Sequence, residues 1–403
     1  MKIIQINQVF PYGSTGKLVL ALHNFLSNEG HDSRVFYAHG PKTNGKCVKN
    51  SGEFYSKIQA LICRVTGIPF GGCFLSTRNI IKQIKRIKPD IVHLQCINGH
   101  VVNIYKLISW LKKNNVKTVI TLHAEFIYTA NCSHSLDCQK WKNGCEKCPN
   151  PRKATGTWLL PRTHKSWLKM KKAFDGFSQN LRVVSVSPWL MERAKQSPIL
   201  VNANHCIILN GLDTNIFNYQ KNVSDIRNEL GLFDRKVVFY ATPFFSLEPG
   251  HIKGGEFLVK LAERMGDVVF LVAGPISKGI SVPANVRLLG RIIDQQKLAK
   301  LYSLADLTLI TSKRETFSMV VAESLCCGTP VVGFEAGGPE AIAIPAYSSF
   351  VEQGNIGKLQ QTVDAFLRLK IKKSVISKEA LNKYSSETMS SEYLNLYKTL
   401  WKE

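Results

Sequence analysis

Apolar positions along this chain alternate between short unbroken runs and stretches with helical spacing, and the alternation occurs twice. In the first half the runs Lys2–Val9, Ser33–Ala38, Asp90–Gln95, Lys117–Leu122 and Arg182–Val186 predict strands, and Leu18, Leu22, Phe25 and Leu26 predict a helix from Lys17. In the second half the runs are Lys236–Ala241, Asp267–Ala273, Val286–Leu289, Leu307–Ile310 and Val331–Phe334. Strands alternating with helices imply an α/β protein whose parallel sheets are covered on both faces, with ligands at the carboxyl ends of the strands. Residues 210–235, from Asn210-Gly211-Leu212-Asp213 onward, read as a linker, so 1–210 is expected to form one domain and 211–384 a second. The last stretch, 385–403, places Met389, Tyr393, Leu396, Tyr397 and Leu400 on one helical face. That stripe must be buried, and the helix is expected to pack back onto the first domain.

At 403 residues the chain is large enough for two cores, and 44% apolar residues suit a globular protein. It has no run of 18 apolar residues, and Met1 to Phe10 reads as a strand rather than a cleaved leader. A cytosolic location is expected, in which the 11 cysteines stay reduced. The net charge of +24 is uneven: residues 1–175 hold 27 Lys/Arg against 8 Asp/Glu, and residues 176–403 hold 26 against 21. Something anionic is therefore expected to approach the N-terminal half. Between Ser56 and Lys88, Ile58, Leu61, Ile62, Val65, Ile80, Ile81, Ile84 and Ile87 are interleaved with basic residues. That spacing suits a helix lying on anionic lipid at the membrane surface, and equally a core-facing helix with a basic solvent face.

Glu315 and Glu323 are the most informative residues for chemistry. Thr316-Phe317-Ser318 reads as the turn before a helix that starts at Met319, so one carboxylate precedes the helix and the other lies within it. Backbone amides at a helix start can meet an anion. One carboxylate can hold the hydroxyls of a sugar and the other those of a ribose, with a diphosphate between them. Gly13-Ser14-Thr15-Gly16 follows the first strand and opens the first helix, a place that favours phosphate, although it departs from the dinucleotide fingerprint. Lys253 stands beside Gly254 and Gly255 at another predicted helix start, which suits a diphosphate, while a solvated loop lysine is the plainer reading of that residue alone. His123 ends the Lys117–Leu122 strand on the ligand side of the sheet.

Cys132, Cys138, Cys145 and Cys148-Pro149 fall within 17 residues, with His134 among them. Their spacing suggests a structural zinc knuckle, with His134 as a substitute ligand, or a loop of reduced cysteines.

Taken together these residues resemble a retaining glycosyltransferase of family 4 with the GT-B fold. The resemblance runs through Gly13 to Lys17, Thr121-Leu122-His123, Cys132–Cys148, Ser185 to Leu190, Asn210 to Asp213, Lys253-Gly254, the Glu315 and Glu323 pair, and Cys327 to Val331. Residues 121–149 resemble the subset that builds bacterial exopolysaccharide and O-antigen. The resemblance implies two Rossmann-like doubly wound domains facing across a cleft. It implies that Glu315, Phe317 and Ser318 hold the donor hexose and diphosphate, Glu323 holds the ribose, and Lys253 neutralises the leaving diphosphate. His123 would lie beside the donor sugar, with Gly13 to Gly16 on the phosphate or acceptor side. It further implies a nucleotide-sugar donor, a lipid-linked glycan acceptor, and no cofactor at the chemical step. Two departures stand out. The segment Phe239 to Pro249 lacks the arginine that such enzymes place before the lysine, and Ala124-Glu125 stands where they carry an aspartate after the histidine.

Two other readings compete. A nucleotide-sugar 2-epimerase of the same fold would turn over the donor with no acceptor. A nucleic-acid-binding protein would explain the charge, but the basic residues are scattered over helices, with no recognition helix or stacking module, so no nucleic-acid partner is expected.

Overall fold

The computed structural model describes residues 1–43, 45–152, 156–157 and 160–403. They divide into two compact units, Met1–Leu209 with Met389–Glu403, and Asn210–Thr388. The first unit holds β1 (Lys2–Val9), β2 (Asp32–His39), β3 (Cys47–Lys49), β4 (Ile91–Leu94), β5 (Thr118–Leu122), β6 (Leu181–Ser185) and β7 (Asn204–Ile207), in the order β3-β2-β1-β4-β5-β6-β7. The second holds β8 (Val237–Ala241), β9 (Val269–Ala273), β10 (Val286–Gly290), β11 (Leu307–Ile310), β12 (Val331–Phe334) and β13 (Ser348–Val351), in the order β10-β9-β8-β11-β12-β13. Every pairing between these strands is parallel. The strand order reverses between β1 and β4 in one sheet and between β8 and β11 in the other, the points where doubly wound sheets open toward ligands.

All ten strands expected from the apolar runs are present to within a residue or two. The three that sequence reading missed, β3, β7 and β13, have only three or four residues each and carry mixed sequences such as Asn204-His205-Cys206-Ile207. Two of them, β3 and β7, form the edges of the first sheet and β13 is an edge of the second. An edge strand is covered less completely, so it needs no unbroken apolar run.

Residues 210–235 are not a free linker, because they fold into the second unit. Leu212 N donates to Tyr384 O at 2.7 Å, Ser386 N donates to Leu212 O at 2.8 Å, and Phe217, Ile226 and Leu232 are buried. Their apolar residues follow no period, which is why the segment reads as a linker. The Ser386–Lys402 helix buries Met389, Tyr393, Leu394, Tyr397 and Leu400 in a core shared with Ile3, Leu18 and Leu22. Its tyrosines also end on polar partners: Tyr393 Oη lies 2.7 Å from Thr121 Oγ1, and Tyr397 Oη lies 2.6 Å from His93 Nδ1. Burial holds the His93 pKa well below its ordinary value, so this imidazole is neutral. Among the described residues no helix is long and apolar enough to cross a membrane.

Candidate active site

In the second unit the site grows from the carboxyl ends of β8, β11 and β12. The loop after β8 ends at Lys253, and Gly254 then opens the Gly255–Arg264 helix with φ of 65°. A Cβ at Gly254 would lie 2.1 Å from Thr311 O, so only glycine lets the two backbones meet. Thr311, directly after β11, holds that approach from the other side, with its Oγ1 3.0 Å from Lys253 O and 2.8 Å from Gly254 O. Tyr240 Oη also donates to Lys253 O. Fixed in this way, Lys253 reaches back so that its Nζ donates to Glu315 Oε1 at 2.8 Å, and Ser312 Oγ donates to the same oxygen at 2.6 Å. The Glu315 backbone is clamped as well: its N donates to Ala336 O at 3.0 Å and its O accepts from Gly338 N at 2.9 Å. Burial by itself would raise the Glu315 pKa, but the Lys253 charge and these hydrogen bonds outweigh it and hold the carboxyl below its ordinary range. Glu315 is therefore an ionised, half-buried carboxylate paired to a lysine.

Ser318 lies at the start of the Met319–Cys326 helix with φ of 87°. A non-glycine residue held there costs on the order of 1–3 kcal/mol, and such residues collect at ligand sites. Its Oγ is buried without a hydrogen-bond partner, although the hydroxyl is near enough to Glu315 to help lower that pKa. No side chain caps this helix start. Phe317 is buried beside it. Glu323 lies little more than one turn into the helix, where its Oε2 accepts from Tyr302 Oη at 2.9 Å. The Tyr302 ring stands edge-on to Phe239 of β8, with centroids 4.8 Å apart.

In the first unit, Gly13, Ser14, Thr15 and Gly16 form the first turn of the Gly13–Asn28 helix, directly beyond β1. Asn7 Nδ2 ties that turn to the strand end, donating to Val9 O at 2.7 Å and Thr15 Oγ1 at 3.5 Å. A Cβ at Gly16 would stand 3.2 Å from Val9 O, so the glycine seats the helix against the strand. His123 directly follows β5, and its Nε2 lies 3.0 Å from Gln95 Oε1. Gln95 Nε2 in turn donates to Gln5 Oε1 at 3.3 Å, which links His123 after β5 and Gln95 after β4 to the middle of β1. Burial pushes the His123 pKa down to about 4, so the ring is neutral at pH 7 even though the residue keeps partial solvent access.

The cysteine segment is anchored by the residue that departs from the family pattern. Glu125 is wholly buried, and its Oε2 accepts from Ser135 N at 2.8 Å and from Ser135 Oγ. Arg193 Nη2 lies 3.6 Å from the same carboxylate oxygen and donates to Ser135 Oγ at 2.6 Å. The guanidinium stacks between Trp141 and Trp189, 5.2 and 5.0 Å from their ring centroids. Glu125 thus points into the protein as a pin for this segment, which places it away from a solvent-side acceptor. Cys132, Cys138, Cys145 and Cys148 all line one cavity of ≈ 20 Å³ against Trp141 and Thr163, and all four are free thiols. Burial, reinforced by the neighbouring cysteines, pushes Cys132 and Cys145 up to about 12. Among the described residues, however, no three His, Cys, Asp or Glu side chains are grouped so that they could hold one metal ion.

Sequence reading missed Thr311, Ser312, Tyr302 and Gln95. Three of them were within reach of the rule that singled out His123, since Thr311 and Ser312 follow β11 and Gln95 follows β4. Tyr302 lies inside the Gln295–Leu304 helix and carries no such signal.

Residues 15–216 match Glycosyltransferase Family 4, and residues 252–383 match Glycosyl transferases group 1. Over 423 aligned residues, covering 99% of this chain and 100% of the other, the chain is 21% identical to a protein of Escherichia coli K12 named for colanic acid biosynthesis, the glycosyl transferase WcaC. The sucrose-phosphate synthase of Thermosynechococcus elongatus superposes over 100% of both chains with a TM-score of 0.70 at 16% identity. Anabaena HepE, solved in complex with UDP-glucose, superposes over 99% of this chain and 100% of its own with a TM-score of 0.63 at 15% identity. With its two parallel doubly wound sheets, the chain belongs to glycosyltransferase family 4 and has the GT-B fold.

Proposed function

We propose that this glycosyltransferase moves a hexose, with retention, from a nucleoside diphosphate sugar to a lipid-linked glycan at the inner face of the cytoplasmic membrane, during assembly of a surface polysaccharide. The observation that carries the donor half is the Lys253–Glu315 pair beside Ser318. An ionised carboxylate, an ammonium and a buried hydroxyl lie together at an uncapped helix start. A diphosphate fits that set, because helix-start amides and a lysine offer donors and positive charge. An ammonium has three donors, and the bond to Glu315 uses one, leaving capacity to face the leaving diphosphate. Glu315 then borders the sugar and Glu323 the ribose. Similarity to a colanic acid protein across the whole chain supports a surface polysaccharide as the product, and the HepE complex supports a nucleotide-sugar donor.

The test is a panel of nucleotide sugars incubated with and without lipid-linked glycan. Release of nucleoside diphosphate that rises with the acceptor, and a product of unchanged anomeric configuration, is expected. No release from any donor would overturn the reading, and isomerisation of the donor without acceptor would replace it with the epimerase.

Glu323→Ala is expected to raise the donor KM more than it lowers kcat, because ribose contacts are made equally before and during the reaction. Steady-state kinetics with the preferred donor checks this, and a kcat loss at unchanged KM would move Glu323 to the reacting centre. Tyr302→Phe removes the hydroxyl that holds this carboxylate and is expected to raise KM in the same direction by a smaller factor.

A structural zinc on Cys132, Cys138, Cys145 and Cys148 is also proposed. The thiols share one cavity and have the right chemistry, and binding requires the sulfurs to draw in from the arrangement described above. Elemental analysis is expected to show about one zinc per chain, with Tm falling on chelation, because a structural ion contributes directly to folding. A zinc-free protein whose Tm ignores chelators would end the proposal.

A further inference from the structure

The Glu53–Thr66 helix is turned inside out. Its buried residues are polar or small: Ser56 is 4% exposed, Gln59 9% and Cys63 3%. Its solvent face carries Phe54, Ile58, Leu61, Ile62 and Val65, with Phe54 77% exposed. These positions recur at three- and four-residue steps, so they form one stripe along the helix. A helix at the surface of a water-soluble domain ordinarily has the opposite orientation. Here it is set by a specific bond: Gln59 Oε1 accepts from Cys73 N at 2.7 Å, tying the polar face to the start of the Phe74–Ile87 helix. The first turn of that second helix extends the apolar surface with Phe74 and with Leu75, which is 70% exposed. Beyond its first turn the second helix behaves normally, with Ile80 and Ile84 buried. The basic, apolar sequence between 56 and 88 therefore divides in two, and among the described residues its first half presents the exposed apolar surface.

We infer that the exposed face of the Glu53–Thr66 helix, with Phe74 and Leu75, docks on an anionic lipid bilayer. The occupant is chosen by charge. From Glu53 to Lys88 the chain carries seven Lys/Arg and a single acidic residue, Glu53. Lys57 and Arg64 are exposed on the apolar helix, and Arg78 and Lys82 are exposed on the next. An apolar stripe flanked by lysine and arginine is the pattern of a helix lying in the lipid interface, where aromatic and aliphatic side chains enter the headgroup boundary and cations meet anionic headgroups. A second copy of the chain fits less well, because a two-fold contact through this face would bring like charges together. The inference rests on the lipid-linked acceptor proposed above, for which it supplies the surface, but its test uses no substrate.

The test is co-sedimentation of the full chain with vesicles of phosphatidylcholine alone and of phosphatidylcholine mixed with phosphatidylglycerol, at low and high salt. The wild type is expected to bind the anionic vesicles and to lose binding as salt rises. The triple variant Phe54→Ser, Ile58→Ser, Leu61→Ser should bind at least about tenfold more weakly, because three apolar side chains no longer enter the interface. Lys57→Glu should weaken anionic binding about fivefold or more by reversing a charge at the surface. Both variants should keep the wild-type Tm and donor turnover, since the altered side chains are exposed. Equal binding by wild type and triple variant, or no preference for anionic vesicles, would overturn the inference. So would a dimer in solution that the triple variant converts to monomer, which would give the face to a second copy. Vesicle binding by a chain that turns over no nucleotide sugar would leave the surface standing and defeat the transferase reading instead.

Discussion

Lys253→Ala is expected to lower turnover on the order of 10²-fold or more, as removal of one preorganised donor does when charge develops on a leaving group. The loss has two sources that the geometry allows to be separated. The first is the missing cation at the diphosphate. The second is Glu315, whose half-buried carboxylate loses its 2.8 Å partner and keeps the hydroxyls of Ser312 and Ser318 beside it. Since the lysine charge is what brings the Glu315 pKa below its ordinary range, its removal lets burial raise that pKa again. The folded protein then loses the stability that an ionised, paired carboxylate provides above its unfolded pKa. Lys253→Met with Glu315→Gln removes both charges at nearly constant volume, and is expected to recover Tm relative to Lys253→Ala while turnover stays low. Single-turnover donor cleavage and thermal melting measured on the wild type and both variants decide this. Normal turnover in Lys253→Ala would show that the pair is structural, and the donor assignment would lose its support.

Glu125→Ala should be the most destabilising single substitution in the cysteine segment, by about 3–5 kcal/mol, because it leaves a half-buried guanidinium without its counter-charge. Arg193 is wedged between Trp141 and Trp189 and has little room to turn toward water, with its side chain only 13% exposed. The Ser135 backbone N–H loses its acceptor at the same time. Glu125→Gln keeps an acceptor for Ser135 and should cost less. Arg193→Met combined with Glu125→Ala should cost less than the sum of the two single changes, since groups in one network are not additive. Urea denaturation followed by tryptophan fluorescence measures all four, and additive losses would mean that the ion pair contributes nothing of its own. A carboxylate one position later than the family aspartate thus has a different task, to hold the segment rather than to face an acceptor.

The sequence by itself determined the class of fold and named Lys253 and Glu315, which the structure brings together. Parallel strands buried on both faces leave unbroken apolar runs such as Val237–Ala241 and Val269–Ala273, and these can be read from a single chain because strand and helix periods are local properties. Ligand loops follow the carboxyl ends of such strands, which is how His123 could be named from position, while Lys253 and Glu315 were named from predicted helix starts. The tertiary structure decided what those residues do to one another. Lys253 meets Glu315 across 62 positions and Tyr302 meets Glu323 across 21, and neither distance leaves a trace in any periodic pattern. The positive φ of Ser318 and the clamp of Glu315 against Ala336 and Gly338 are likewise absent from a local reading of Thr316-Phe317-Ser318. The orientation of the Glu53–Thr66 helix was equally out of reach. Periodicity reports that a helix has two unlike faces, but which face turns inward depends on its neighbours, and here the Gln59 amide oxygen, accepting from Cys73 N, turns the polar face in.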